Sequence, residues 1–189
     1  MPHRLAKTGK ILVVDDQAAN VRVVSSLLER HGYTVVTAVN GPDALRVADE
    51  HTPDLILLDM MMPGMDGFEQ LATLREQPAF RPVPAVFLTA AQDRDLLLRA
   101  FDAGAVDYVT KPFMPEELLA RVQAHLGLKL TRDRLERVAR ERQELVNLVA
   151  HDLKNPLTSV LFASEMLELP DCKPERVPRY TQIEVIPIT

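Results

Sequence analysis

Short apolar runs alternate with amphipathic stretches along the first two thirds of the chain. Residues 10–14, KILVV, are an apolar, largely β-branched run that ends at acidic residues, as expected for a buried strand. Residues 18–30 place apolar side chains three and four positions apart, which indicates a helix, and Gly32 follows as a stop signal. The same alternation predicts further strands at 33–37, 54–58, 83–88 and 106–109, and helices at 42–50, 65–76, 92–101 and from 115 onward.

Five strands that alternate with five helices predict an α/β fold. Because each strand is followed by a helix, we expect a five-stranded, doubly wound parallel sheet with helices on both faces. Ligands of such folds bind at the carboxyl ends of the strands, near the point where the strand order reverses.

The composition and the apolar pattern of the sequence change after Gly127, the last glycine of the chain. Residues 128–169 contain a single proline, and their apolar residues lie near heptad positions, with Arg142 interrupting the pattern. We therefore predict a long C-terminal helix with an apolar stripe that needs a partner. Four prolines in the last twenty residues predict an irregular tail. The apolar positions are Leu128, Leu135, Val138, Leu145 and Val149.

Charge and composition narrow the possible functions. Residues 1–125 hold 12 basic against 17 acidic residues, which accounts for the whole net charge of −5, and residues 126–170 hold seven of each sign. No segment is basic enough to bind a nucleic acid backbone. A single cysteine, Cys172, fits a reducing compartment. Without an apolar signal segment or membrane span, we expect a cytoplasmic protein.

Reactive side chains follow several of the predicted strands. Asp15 and Asp16 follow the first strand, Asp59 the third, Thr89 the fourth and Lys111 the fifth. Three carboxylates at one edge of the sheet repel one another unless a cation neutralises them, and oxygen ligands of this kind suit Mg²⁺. A carboxylate beside Mg²⁺, faced by a lysine and a hydroxyl, is equipped for phosphoryl transfer, with Asp59 as the nucleophile.

Each of these features has an ordinary explanation when it is taken alone. Asp15 and Asp16 could cap a helix, Asp59 could be an acid in a turn, and Lys111 with Pro112 could lie in a loop. The combination at matched strand ends is what favours a functional site.

Four motifs in this region resemble the response-regulator receiver domain of two-component signalling. The resemblance covers residues 9–126 and implies a flavodoxin-like fold. The motifs are VDD at 14–16, DMMMPGMDG at 59–67, LTA at 88–90 and YVTKPF at 108–113.

The resemblance implies a role for each matching residue. Asp59 would be the phosphoacceptor, Asp15 and Asp16 would bind the metal together with Asp59, and Met61 would add its backbone carbonyl. Thr89 would be the hydroxyl that moves to the phosphoryl group, Tyr108 the aromatic switch and Lys111 the phosphate-contacting cation. The bond from Lys111 to Pro112 would be cis. Phosphorylation would then change the surface formed by the fourth helix, fifth strand and fifth helix.

The stretch LVAHDLKNPLTSV resembles the H-box of histidine kinases of the dimerisation-and-phosphotransfer type. By this resemblance His151 is the phosphorylated imidazole, and Asp152 is the adjacent acid that assists. Asn155 lies on the same helical face, where the family often places a residue used in phosphatase activity. Pro156 removes a backbone hydrogen bond and predicts a kink. The other histidines, His3, His31, His51 and His125, are assigned no role.

No ATP-binding domain is visible after the H-box, because glycine-rich nucleotide loops are missing there. We expect either a fragment of a hybrid sensor kinase or a gene product that has lost its catalytic end, and whether the chain is an enzyme stays open. The predicted domains are a receiver at 9–126, a helical linker or coiled coil at 127–147, a partial dimerisation and H-box helix at 148–169 and an irregular tail at 170–189.

The functional hypothesis is a two-component phosphorelay protein. Mg²⁺-dependent transfer to Asp59 would control a dimeric H-box helix whose His151 is a potential phosphoacceptor. Expected partners are a second copy, through residues 128–169, and a cognate histidine kinase or phosphotransfer protein. One alternative is a stand-alone receiver whose C-terminal helix only dimerises or binds a partner, with His151 inert. A phosphohydrolase is disfavoured because the residues directly after Asp59, MMMPG, place no second acid to protonate a leaving group. A DNA-binding regulator lacks a basic face.

Overall fold

The computed structural model describes residues 9–168, except 63, 65 and 91–93. Strands and helices alternate along these residues, and each predicted boundary lies within one or two residues of the observed one wherever both are described. The strands are Lys10–Val14 (β1), Thr34–Ala38 (β2), Leu55–Asp59 (β3), Ala85–Thr89 (β4) and Asp107–Thr110 (β5). The helices are Ala18–Arg30 (α1), Gly41–His51 (α2), Gly67–Glu76 (α3), Arg94–Asp102 (α4) and Pro115–Glu168 (α5), with a short 3-10 helix at Pro78–Phe80.

The five strands form one parallel sheet in the order β2-β1-β3-β4-β5. The predicted fold class is therefore confirmed. The chain first moves outward from β1 to β2 and then crosses over β1 to begin β3. This reversal places a crevice at the carboxyl ends of β1 and β3, where open α/β sheets bind their ligands.

Both faces of the sheet are buried, because successive residues of a strand point to opposite sides. In β1, Ile11 and Val13 pack in the core shared with α1 and α5, whereas Leu12 and Val14 pack in the core shared with α2, α3 and α4. All four side chains are fully buried. This two-sided burial explains why the strands read as continuous apolar runs rather than as alternating patterns.

Helix α5 is a single helix of 54 residues, and the predicted long C-terminal helix is confirmed. It continues through Gly127 and Pro156. The chain divides into two compact units, one ending at Asp133 and one beginning at Arg134. Within the described part of the second unit, every large apolar side chain from Leu135 to Phe162 is exposed to solvent. No helix among the described residues is long and apolar enough to cross a membrane.

Candidate functional site: an acidic cluster at the sheet edge

The strand ends bring the predicted acids and the predicted lysine together. Asp59 is the last residue of β3, and Asp15 directly follows β1. The Nζ atom of Lys111, in the loop after β5, lies 2.8 Å from Asp15 Oδ2 and 3.2 Å from Asp59 Oδ1. Asp15 and Asp59 are buried, with 1% and 4% of their surface exposed, so neither is an ordinary acid of a surface turn.

The carboxylates of Asp15, Asp16 and Asp59 fit a divalent cation. One oxygen from each lies within 4.8 Å of the others, and Asp16 is exposed at the mouth of the cluster. Lys111 neutralises one of the three negative charges, so the cluster keeps a net charge of about −2. An all-oxygen donor set with this charge matches the preference of Mg²⁺ for carboxylates and water.

Burial shapes the electrostatics of Asp59 more than any single neighbour does. Desolvation raises the pKa of its carboxyl above the ordinary value, and the negative charge of Asp15 acts in the same direction. The Lys111 ammonium and the backbone N–H of Met61 lower it, but they do not cancel the effect of burial. A cation in the cluster would therefore favour the ionised, nucleophilic form of Asp59.

Asn20 holds Asp15 in place, and the sequence analysis missed this residue. Its Nδ2 atom donates to both carboxylate oxygens of Asp15, at 3.2 and 3.1 Å. The backbone N–H of Gln17 donates to Asp15 Oδ1 at 2.8 Å. Asp15 thus anchors the loop before α1 rather than capping the helix, whose N-cap residue is Gln17. The only sequence signal was an asparagine in the first turn of the helix.

Gly67 allows α3 to begin directly against β3. A Cβ atom at this position would lie 2.6 Å from the backbone oxygen of Asp59, 2.9 Å from the Phe87 ring and 3.0 Å from Met60 Cα. Any side chain would push on the strand end that carries Asp59. The preceding Asp66 caps α3 by accepting a hydrogen bond from Glu69 N at 2.8 Å.

The other predicted receiver residues lie at the ends of β3 and β4 and along β5. Thr89 ends β4 and is fully buried, and its carbonyl oxygen accepts a bond from Lys111 N. Tyr108 is half-buried, and its ring meets Phe101 edge-on with 6.0 Å between centroids. Met61 N lies 3.5 Å from Asp59 Oδ1, and its side chain is exposed. The bond from Lys111 to Pro112 is cis, as expected.

His151 lies in a different environment, on the second unit. Its side chain is 72% exposed, and its Nδ1 atom lies 3.4 Å from Asp152 Oδ1, an acid that is itself 62% exposed. The side chain of Asn155 lies outside the described residues. The adjacency of His151 and Asp152 is therefore visible, but no other described group orients the imidazole. Its role stays a prediction.

His125, which the sequence analysis assigned no role, takes part in an ion-pair cluster on the first unit. Its Nε2 atom lies 2.9 Å from Asp107 Oδ2, and Arg121 Nη1 donates to Asp107 Oδ1 at 2.6 Å. Burial alone would raise the pKa of Asp107, but hydrogen bonds from Arg121, His125 and Tyr108 N outweigh it and lower the pKa. The helical spacing of Arg121 and His125 was the available signal.

The fold and the cluster define a doubly wound α/β protein with an acidic site at the carboxyl edge of its sheet. The sequence model of the Response regulator receiver domain matches residues 11–123, and the chain belongs to this family. The model of the His Kinase A (phospho-acceptor) domain matches residues 141–183. A receiver followed by a phosphoacceptor segment, as in a hybrid kinase, is therefore confirmed, and the chain belongs to two-component signalling.

Curated relatives match the receiver part of the chain. Response regulator PleD of Caulobacter vibrioides is 44% identical over 128 residues, which are 68% of this chain and 28% of PleD. The alkaline phosphatase synthesis transcriptional regulatory protein PhoP of Bacillus subtilis is 45% identical over 117 residues, which are 62% of this chain and 48% of PhoP. The chain thus spans about half or less of these relatives.

Solved structures show the same fold. The chemotaxis response regulator CheY4 of Vibrio cholerae has a TM-score of 0.60 and 35% identity, covering 62% of this chain and 98% of that one. The receiver domain of a signal transduction histidine kinase from Syntrophus aciditrophicus has a TM-score of 0.58 and 34% identity, covering 63% and 90%.

Proposed function

We propose that Mg²⁺-dependent phosphoryl transfer to Asp59 switches the receiver, and that the receiver controls a dimeric helix carrying His151 as a potential phosphoacceptor. The observation that carries the proposal is the position of Lys111, whose ammonium contacts Asp15 and Asp59 at the converging strand ends. A cation shared by two buried acids is suited to bind the added phosphoryl oxygens.

The chemistry follows from the groups that surround Asp59. A carboxylate oxygen of Asp59 attacks the phosphorus of a phosphohistidine or of acetyl phosphate, and the bond from phosphorus to the donor breaks as the acyl phosphate forms. Lys111 neutralises the oxygens of the transferred group. Mg²⁺, held by Asp15, Asp16, Asp59 and the Met61 carbonyl, would supply the remaining positive charge.

The switch is proposed to pass through Thr89 and Tyr108. Phosphorylated Asp59 presents new negative charge and strong acceptors, which the Thr89 hydroxyl would approach. The Tyr108 ring, now against Phe101, would fill the space behind it. The face formed by α4, β5 and α5 would then change.

The domain boundaries and partners belong to the same proposal. The receiver occupies residues 9–126, a helical linker residues 127–147 and the H-box helix residues 148–169, with the tail beyond. The exposed apolar residues of α5 support a homodimer through residues 128–169, because a lone helix with such a stripe is unstable in water. A cognate histidine kinase or phosphotransfer protein would supply the phosphoryl group.

Intact-mass analysis after incubation with Mg²⁺ and acetyl phosphate tests the central step. Wild type and His151→Ala should each gain one phosphate, of about 80 Da, and Asp59→Asn should gain none. Chelation of Mg²⁺ should abolish the gain in every form. Labelling of Asp59→Asn at the wild-type level would refute the proposal. A phosphate that also depends on His151 would show transfer between the two sites.

The alternative function is a stand-alone receiver whose C-terminal helix only dimerises. The high exposure of His151, with Asp152 as its one described contact, is compatible with an inert imidazole. Incubation of Asp59→Asn with a partner histidine kinase and ATP separates the two functions. Acid-labile, alkali-stable phosphate on His151 supports the relay, and its absence supports the alternative.

A further inference from the structure

A second chemically distinctive region lies at the amino-terminal ends of the strands, whereas the acidic cluster lies at their carboxyl ends. Pro84 immediately precedes β4, and Val106 immediately precedes β5. Both residues line a cavity of about 560 Å³ at these amino-terminal strand ends. Cavities between roughly 300 and 1,000 Å³ hold ligands the size of a nucleotide. We call this cavity the basic pocket.

The polar lining of the basic pocket carries one sign of charge. It contains five basic residues and no acidic residue. Lys129 pairs with Asp133 and His125 with Asp107, both carboxylates outside the lining. The five residues are Arg75, Arg81, His125, Lys129 and Arg132.

Arg75 is a half-buried guanidinium bound only to backbone carbonyls. Its Nη1 atom donates to the oxygens of Phe80, Arg81 and Val83, and its Nη2 atom to Gly104 O. Among the described residues, no carboxylate lies within ion-pair distance of it. Burial lowers the pKa of the Arg75 side chain, which means that the charged form is held at a cost. An arginine nevertheless stays protonated, so the pocket wall keeps an unneutralised positive charge.

Arg81 adds donors that point to the same region. Its Nε atom donates to Arg75 O at 3.1 Å, and its two terminal amino groups have no partner among the described residues. Arginine can bind a phosphate through two parallel N–H bonds, whereas the lysine ammonium acts as a point charge. Lys129, on α5, also lines the pocket.

The rest of the lining is apolar. Val83 is buried, and Val106 and Leu128 are exposed, at 41% and 70%. Pro82 and Pro84 add flat, rigid surface. A lining that combines cationic and apolar side chains suits a ligand with a phosphate at one end and a flat apolar body at the other.

We propose that the basic pocket binds a small organic phosphate monoester with a flat, largely apolar body, such as an aryl phosphate or a nucleoside monophosphate. The site is separate from Asp59, because it lies at the other ends of the strands, and it needs no divalent cation. His125, Leu128, Lys129 and Arg132 place one wall of the pocket on α5. A bound phosphate would tie this helix to the loop before β4.

Titration of the whole chain with AMP and with 1-naphthyl phosphate, in EDTA, tests the proposal by ¹⁵N NMR. At least one of the two should shift resonances of residues 81–84, 104–106 and 125–132 and leave those of residues 15–17 and 59–61 unchanged. Adenosine and inorganic phosphate, which each lack half of the ligand, should bind at least about tenfold more weakly. Comparable affinity of the half-ligands, shifts scattered over the surface, or no binding would overturn the proposal.

Charge variants supply the matched comparison. Arg81→Glu should weaken binding by at least about tenfold, and Arg81→Gln by less. Arg22→Glu places the same charge change on the exposed surface of α1 and should leave affinity within about twofold. An equal loss of affinity in Arg81→Glu and Arg22→Glu would mean that only the net charge of the protein matters, and this would overturn the assignment. The wild-type shift map keeps the test valid if an Arg81 variant folds poorly.

Discussion

The two candidate phosphoryl sites of this chain are built in opposite ways. Asp59 is 4% exposed, and its carboxylate lies beside Lys111 at the end of a strand packed on both faces. His151 is 72% exposed on a helix whose large apolar side chains are themselves exposed. The first site is organised by the fold of one chain. The second candidate is an exposed imidazole on a helix whose described large apolar side chains are not buried within the chain.

This difference indicates what each site needs in order to work. Preorganised groups need only substrate and metal, because folding has already fixed their geometry. An exposed imidazole must be oriented by whatever packs around its helix. We therefore expect that the receiver functions in the monomer and that any chemistry at His151 depends on a second copy or a partner.

The largest expected contrast is between a leucine of the sheet and a leucine of the helix. Leu57→Ala in β3 removes a fully buried side chain and should lower the free energy of unfolding by about 2–5 kcal/mol. Leu145→Ala removes one that is 63% exposed and should change receiver unfolding by less than about 0.5 kcal/mol. Urea denaturation of both variants provides the comparison. Unfolding is followed by tyrosine fluorescence, to which Tyr108 contributes, and by far-ultraviolet circular dichroism.

Sedimentation of the same variants sharpens the contrast. Leu145→Ala should weaken a homodimer that Leu57→Ala leaves intact, provided the latter is studied below its unfolding transition. A fragment ending at Gly127 should be a folded monomer. A dimeric fragment would show that the helix is not the main interface.

A smaller contrast separates two glycines. Gly67→Ala forces a Cβ to within 3.0 Å of three neighbouring atoms and should destabilise the receiver by about 1–3 kcal/mol or more. Gly127→Ala meets nothing within 4 Å and lies inside α5, so it should stabilise by up to about 1 kcal/mol. Thermal melts of both proteins measure the difference, and equal effects would mean that the close approach of α3 to β3 is not rigid.

The sequence predicts the receiver well because its signals agree at every level. Buried parallel strands give apolar runs, and the reactive residues stand at the run ends, so the convergence of Asp15, Asp59 and Lys111 follows from topology. Contacts between distant elements were not predictable. The carbonyls bound by Arg75 come from two separate loops, and nothing near Arg75 in the sequence marks them.

For helix α5, the sequence predicts the element itself but not what packs against it. Its existence follows from helix-forming residues and the missing glycines, and the structure bears it out. The partner of its apolar stripe is not encoded in any local pattern, since exposed leucines fit several oligomers. His125 was passed over for a related reason, because its acid partner, Asp107, lies on β5, 18 residues away.

A third prediction concerns the effect of the buried Asp59 carboxylate on stability. Without metal, Asp59→Asn should raise the free energy of unfolding at pH 7 by about 1 kcal/mol, because it removes a buried carboxylate that burial and Asp15 disfavour. Mg²⁺ should stabilise wild type and have less effect on the variant. Asp49→Asn, on the exposed surface of α2, is the control. Greater metal stabilisation of Asp59→Asn than of wild type would contradict the assigned site.

The smallest expected effect tests whether charged interactions outside the acidic cluster also stabilise the receiver. Asp107→Asn should lower the free energy of unfolding by about 0.5–1 kcal/mol at pH 7, because Arg121 and His125 lose a partly exposed ionic partner. The folded-state pKa of Asp107 is lowered, so this contribution is present above the unfolded value of about 4 and is lost as the pH falls through the folded value. The difference between wild type and variant should therefore shrink as the pH falls below about 4. Asp102→Asn, on the exposed end of α4, should show no such dependence. A difference that grows as the pH falls below 4 would reverse the sign and exclude the ion pairs as its cause.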